Sequence, residues 1–339
     1  MATAVGYDPD TWRSAAQQLA LQGLAIPERY GGGGFGFNEL VIVFEEMGRV
    51  LFPAPFFSTV ALAANALLLA GDEDVQRELL PQIAAGETIA TLALTEDAGR
   101  WDERGISLSA RRSGADYRLY GHKNYVLDGH TADVVLVVAR VAEAIRILAV
   151  DGDARGLQRT QLVTMDDTRK QARLEFDGTI ARPIGTSGGG WEIISRTLDR
   201  AAVALAAEAA GGAARCLEMA TEYADERVQF GRPIGSFQAI KHKCANLLIE
   251  AESAKSAAYY AGWAAAENVE ELAVAAPLAK SYCCEAFLHA AAENIQIHGG
   301  IGVTWEHPAQ LYFKRAKTSE LLLGTPSQHR ELLAQRLTI

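Results

Sequence analysis

Val134-Val135-Leu136-Val137-Val138-Ala139, followed by Ile145-Arg146-Ile147-Leu148-Ala149-Val150, is the stretch on which the fold turns. Both runs are short and rich in residues that suit an extended, pleated backbone. Thr91–Thr95, Ile106–Ala110, Tyr117–Tyr120 and Gln161–Thr164 share this texture, with Gly, Asp and Ser between them. Regularly spaced short strands punctuated by turn residues predict a small sandwich or barrel. No helix-length apolar pattern separates them, which argues against a parallel, doubly wound sheet.

On the N-terminal side, the chain from Asp10 to about Ala90 reads as helical. Leu40, Val43, Phe44 and Met47 recur at helical spacing in a run ending at Gly48, and Ala61–Leu69 and Val75–Ile83 are further helical stretches. Pro27, Gly31–Gly34, Pro53 and Pro55 mark the turns. After Gly190 the chain is helical again, with long helices expected over Ser195–Asp225, Ser236–Ala266 and Leu272–Ile297 and a shorter one over Pro308–Leu323. Long helices with short connections predict an antiparallel bundle. The expectation is an α+β multidomain chain, with an N-terminal helical domain (1–90), a middle β domain (91–190) and a C-terminal four-helix bundle (191–339).

Composition narrows the function classes. The 339 residues allow two or three domains and a sizeable core, and 49% hydrophobic with 22% charged residues is an ordinary globular balance. Thirty-two basic against 42 acidic residues give a net charge of −10, which works against a nucleic-acid partner and against docking on an anionic membrane. Cys216, Cys244, Cys283 and Cys284 contain no C-x-x-C spacing, and reduced thiols in a cytoplasmic protein are expected. No leader opens the chain, and no apolar run reaches the roughly 18 residues of a membrane span.

Gly31-Gly32-Gly33-Gly34-Phe35-Gly36 satisfies G-x-G-x-x-G, but Ile26–Tyr30 is a poor strand, so the run reads as a structural turn. The scattered histidines form no compact metal motif, and no G-x-S-x-G elbow marks a nucleophile. The informative residues lie in the bundle. Arg227-Val228-Gln229-Phe230-Gly231 is followed by Gln238, and later by Gln296-Ile297-His298-Gly299-Gly300-Ile301-Gly302. Arg pairs with phosphate, Phe offers an aromatic face, Gln bonds a heterocycle edge, and adjacent glycines let backbone approach a diphosphate. The bland alternative is a helix end and a turn.

Together with the domain order, these residues resemble the acyl-CoA dehydrogenase family, over nearly the whole chain. The resemblance implies FAD as cofactor and a fatty acyl-CoA thioester as substrate. It implies that Arg227, Phe230, Gly231 and Gln238, in an R-x-x-F-G…Q element, reach a neighbouring subunit's FAD. It implies that Gln296, Gly299, Gly300 and Gly302 contact the adenosine diphosphate of FAD, and that Thr95, in Leu94-Thr95-Glu96, contacts the isoalloxazine. Pro27-Glu28-Arg29-Tyr30-Gly31-Gly32 is similar to the family's P-E-x-Y-G-G turn. Lys123-Asn124-Tyr125-Val126-Leu127 stands for K-x-W-I-T, so Tyr125 keeps an aromatic ring beside the flavin while Leu127 lacks a hydroxyl. Leu322-Leu323-Gly324-Thr325 stands for Y-E-G-T, which leaves Thr325 as a cofactor contact but replaces the usual base by Leu323. Some members carry the base in an E-R pair, here Asp199-Arg200, with Arg200 as a substrate contact. The chain also begins inside the family's first helical segment, so early helices are expected to be missing or trimmed.

Removing a thioester α-proton needs a carboxylate within hydrogen-bond reach, with its pKa raised by a dry site. Leu323 cannot serve, and Asp199 is the candidate base. The alternative for Asp199 is a charge held by Arg200 or Arg196. Short, alanine-rich members lacking the C-terminal Glu resemble steroid side-chain dehydrogenases, similar to α2β2 assemblies of two unlike subunits. Three readings stay open. The chain is a dehydrogenase subunit, partnered by a homologous chain or by itself and passing electrons to an electron-transfer flavoprotein; or a catalytically silent subunit completing its partner's flavin site; or a flavin oxidase or monooxygenase on the same fold. The small residues of 196–216, from Ala201 to Gly212, suit either close helix packing or a wide acyl pocket.

Overall fold

The computed structural model of the chain describes residues 3, 5–185 and 189–339. Helix α1 (Pro9–Gln17) begins at Asp8, whose carboxylate accepts from the Thr11 N–H, with Pro9 where a missing N–H does no harm. The tetraglycine run is a turn, preceded by the 3-10 turn Glu28–Tyr30 rather than by a strand. A Cβ at Gly32 would lie 2.1 Å from the carbonyl oxygen of Ile26, so that position admits no side chain. Helices α2 (Phe37–Arg49), α3 (Asn65–Ala70) and α4 (Glu73–Ala84) follow.

The stretch expected as one helix over Ala61–Leu69 is instead a π-helix, Phe57–Ala64, running into α3. Asn65 gives a local cause. Its Nδ2 donates to the carbonyls of Val60 and Ala61, both at 3.1 Å, so a side chain satisfies acceptors in the widened turn.

Strands β1 (Ala90–Ala93), β2 (Ser109–Ser113), β3 (Asp116–Leu127), β4 (Val134–Val141), β5 (Ala144–Asp151), β6 (Leu157–Gln161) and β7 (Gln171–Ile184) form one sheet. Pairings run β4–β2–β3–β7–β5 and return to β4, so the ring closes as a barrel. Closure removes the open edges that a sandwich keeps. Strand β1 joins β4 in parallel, with Ala90 opposite Val134, and β6 pairs with β7. Val135–Ala139 of β4 are fully buried, which explains their unbroken apolar run. The longest strand, β7, was not among the six β-favouring stretches. Its buried Ala172, Leu174 and Phe176 alternate with Arg173 and Glu175, so half of it reads as polar surface.

Helices α5 (Gly190–Glu226), α6 (Gln238–Glu267), α7 (Val269–His298) and α8 (Ala309–Leu321) match the four expected, and α9 (Pro326–Leu337) follows them. Helix α7 packs against α6, α8 and α9, and α2 packs against α6. Two compact units result, Met1–Gly36 with Pro53–Ala201 and Phe37–Phe52 with Ala202–Ile339, and the division falls inside α5. In the second unit the small residues serve close helix packing. A Cβ at Gly48 would lie 1.9 Å from the Glu208 carbonyl oxygen, and one at Gly211 would lie 1.9 Å from that of Glu45. Gly212 leaves room for the Phe287 ring, 2.5 Å from where its Cβ would stand.

Candidate functional site

Within the first unit, β1 carries the chain to Thr95 and β3 carries it to Tyr125. The buried Thr95 hydroxyl donates to the Asn124 carbonyl at 2.6 Å, and the Asn124 N–H donates back to the Thr95 carbonyl at 2.8 Å. The β3–β7 ladder breaks between Lys123 and Val126, and Tyr125 there takes a left-handed φ of +59° with its ring 41% exposed. A bulky residue rarely adopts that conformation unless its surroundings hold it. Leu127, where the resemblance lacks a hydroxyl, is buried, and its carbonyl accepts from the Thr91 hydroxyl at 2.6 Å.

Behind this pair lies an ion pair that the sequence reading did not single out. Lys123 is fully buried and donates to the carbonyl of Leu94 at 2.9 Å and to the Glu96 carboxylate at 2.8 Å. Burial lowers the Lys123 pKa to about 8, against the opposing pull of Glu96. Burial pushes the Glu96 carboxyl upward, but the Lys123 charge and the donors around it win and hold it below its usual range. In the sequence these two residues are marked only by their places in Leu94-Thr95-Glu96 and Lys123-Asn124-Tyr125-Val126-Leu127.

Asp199 and Arg200 sit half-buried on α5. Arg200 Nη1 donates to Asn65 Oδ1 at 3.4 Å, which ties it to the residue that shapes the π-helix. The π-helix packs on β1, so Arg200 and the Thr95 loop rest on one support. Burial, and then the neighbouring Arg196 charge, depress the Arg200 pKa.

In the second unit the two bundle motifs come together. Arg227 directly follows α5, the hairpin β8 (Val228–Gln229) and β9 (Arg232–Pro233) turns at Phe230 and Gly231, and Gln238 opens α6. Gln296, Gly299 and Gly300 end α7. Ile297 packs with Ala220 and Ala224 of α5 and with Ile234 beyond the hairpin. Tyr223 stacks on His298 at 4.3 Å, and His298 lies 4.2 Å from His307.

The chain's groups at this end suit FAD. Phe230 is 92% exposed at φ +54°, and Arg227, Gln238 and Gln296 are exposed. Gly299 has φ +67° and ψ −140°, a conformation open essentially to glycine alone, and a Cβ on Gly299 or Gly300 would meet nothing within 4 Å. An aromatic face, a guanidinium, two amides and bare backbone are groups able to hold a ring system and a diphosphate.

The side chain of Thr325 caps a helix. Its hydroxyl accepts from the Gln328 N–H at 3.3 Å and its own N–H donates to Gln328 Oε1 at 2.8 Å, a capping box that starts α9. Leu323 is buried at φ +62°, in a turn whose carbonyls are taken by Lys280 and His329. Burial, with the Lys280 charge second, lowers the His329 pKa to about 4. Among the described residues no group of three His, Cys, Asp or Glu is arranged to hold a metal.

Models of the acyl-CoA dehydrogenase N-terminal, middle and C-terminal domains match residues 2–87, 91–179 and 188–338. The chain is 38% identical to acyl-CoA dehydrogenase IpdE2 of Mycobacterium tuberculosis, over 97% of this chain and 86% of that protein. Among solved structures, the Tcur3481–Tcur3483 steroid ACAD superposes with a TM-score of 0.89 at 32% identity, covering 99% of this chain and 90% of that one. The ChsE4–ChsE5 complex of Mycobacterium tuberculosis gives a TM-score of 0.88 at 30% identity, covering 98% and 88%. No helix among the described residues is long and apolar enough to cross a membrane. The chain belongs to the acyl-CoA dehydrogenase family, FAD-dependent oxidoreductases that act on CH–CH bonds.

Proposed function

We propose that this chain is one subunit of a cytoplasmic hetero-oligomer that dehydrogenates a steroid-derived acyl-CoA between its α- and β-carbons, with residues 1–90, 91–190 and 191–339 as its three domains. The observation that carries the oligomeric reading is Phe230, 92% exposed at the tip of a hairpin. An aromatic that exposed is suited to covering the flavin of another chain. The relatives named as a steroid ACAD and as a ChsE4–ChsE5 complex support the substrate class and the unlike partner.

In this reading Arg227, Phe230 and Gln238 reach the flavin dinucleotide of another chain, Gln296, Gly299 and Gly300 contact an adenosine diphosphate, and Thr95 and Tyr125 flank the isoalloxazine. FAD, when bound, supplies the acceptor for the hydride that leaves the β-carbon. The carboxylate of Asp199 takes the α-proton, and Arg200, half-desolvated and anchored on Asn65, orients the substrate. Thr325 contributes to the site through its backbone, since its side chain caps α9. An electron-transfer flavoprotein is the acceptor of the electrons.

Asp199→Asn keeps the shape and removes the base. Turnover of the assembled enzyme is expected to fall by roughly 100-fold or more, with flavin content and acyl-CoA affinity little changed. Full activity in that variant would assign the base to the partner chain. The second reading, a catalytically silent subunit completing the partner's flavin site, is favoured by the buried Leu323 and would then hold. Arg227→Ala is expected to lower flavin content in the assembled protein without unfolding the bundle, and unchanged flavin with native assembly would overturn the dinucleotide assignment.

A further inference from the structure

Four contacts join residues 94–96 to residues 123–124. Two are the reciprocal bonds between Thr95 and Asn124, and two are made by Lys123, to the Leu94 carbonyl and the Glu96 carboxylate. The Glu96 carboxylate is satisfied further, because it accepts from the N–H groups of Ser107 and Leu108, each at 2.9 Å, and from the Ser107 hydroxyl. Lys123 has no exposure to solvent and Glu96 has 9%. Taking two charges out of water is costly, and a well-packed apolar pair of similar volume is often as stable or more so. Stability alone is therefore a weak reason for this pair.

Its position supplies a better one. Glu96 directly follows Thr95, and Lys123 lies two residues before Tyr125. The β3–β7 ladder is interrupted at that point, so regular strand pairing does not hold the left-handed Tyr125. A left-handed conformation costs a non-glycine residue on the order of 1–2 kcal/mol. The bonds to Leu94, Thr95 and Glu96 anchor the strand just before it, where the ladder ends at the Lys123–Leu174 pair.

We propose that the buried Glu96–Lys123 pair is a positioning device that sets Thr95 and Tyr125 against the isoalloxazine of FAD. This rests on the reading that Thr95 and Tyr125 flank the flavin. The ion pair touches no reacting atom and acts through the two residues it locks. It makes flavin affinity and flavin environment depend on a charge pair behind the site.

The test uses the full chain, assembled with its partner chain where one co-purifies, and FAD itself as the probe. The variants are Lys123→Met, Glu96→Gln, their double combination and Thr95→Ala. Apoprotein is titrated with FAD, and the visible flavin spectrum and the thermal melt are recorded for each. Lys123→Met and Glu96→Gln are each expected to weaken FAD binding roughly tenfold or more and to shift the flavin spectrum. The double variant leaves no unpaired buried charge, so it is expected to regain thermal stability while FAD binding stays weak. If the double variant regains FAD affinity and the native spectrum together with stability, the pair is merely structural and the proposal is overturned. Normal FAD binding in all ion-pair variants, with weakened binding in Thr95→Ala, overturns the proposal and leaves the flavin-site reading standing. Normal binding in Thr95→Ala as well overturns that reading. Should Lys123→Met fail to fold, Glu96→Gln, which keeps acceptors for Ser107 and Leu108, decides by the same criteria.

Discussion

The ammonium of Lys280 donates to the carbonyl of Glu320 at 2.8 Å from a side chain with no exposure to solvent. The same nitrogen reaches the carbonyl of Gly324, and His329 Nε2 donates to the carbonyl of Leu323 at 3.0 Å. The last carbonyls of a helix lack intrahelical partners, and here buried side chains supply them at the end of α8. Leu323 thus lies in a turn pinned from inside the bundle.

Lys280→Met would leave the Glu320 and Gly324 carbonyls without this donor. Each stranded buried acceptor costs about 1–3 kcal/mol, so the loss from the two is expected to be about 2–6 kcal/mol. Urea unfolding followed by far-ultraviolet circular dichroism measures it, and an unchanged midpoint would mean that water replaces the ammonium.

His329 is expected to make the second unit acid-sensitive. Its pKa is lowered to about 4 by burial and the Lys280 charge, against 6.5 for a free histidine. The unfolded chain therefore takes up the proton first as pH falls. The stability due to this residue is complete above pH 6.5 and is lost as pH falls from 6.5 toward 4, by at most about 3 kcal/mol. His329→Gln is expected to flatten the loss of unfolding free energy over that interval. An identical pH slope in the variant would reject the assignment.

Gly211→Ala tests the close approach of α2 and α5. The added Cβ would stand 1.9 Å from the Glu45 carbonyl oxygen, so the helices must part. Overpacking of this kind costs about 1–3 kcal/mol, and backbone against backbone leaves little room for relaxation. The thermal midpoint of the variant should fall by several degrees. Substitution of exposed Ala239 by Ser is a control expected to move it little.

Thr325→Ala separates helix capping from cofactor binding. Loss of the cap is expected to cost about 1 kcal/mol, and Thr325→Asp, another good cap, should restore most of it. Flavin content in both variants should match the native protein. A flavin loss that Thr325→Asp does not repair would show the hydroxyl to be a cofactor contact.

Local sequence determined much of this protein. The β-branched runs at 134–139 and 145–150 become β4 and β5, because alternation and branching act on neighbouring residues. The bundle helices at 195–225, 236–266 and 272–297 come within a few residues of their observed ends for the same reason. The bundle motifs at 227–231 and 296–302 each form one compact turn, so a short run of sequence carries their shape.

Tertiary structure decided what joins distant residues. Barrel rather than sandwich depends on β5 returning to both β4 and β7, and β7 was hidden because its outward residues look like surface. The π-helix depends on which carbonyls Asn65 captures, and hydropathy carries no trace of that choice. Glu96 and Lys123 are 27 residues apart, and Lys280 and Gly324 are 44 apart. A buried charge is tolerable only where folding brings its partner, so its role is set by the three-dimensional neighbourhood and not by its place in the chain.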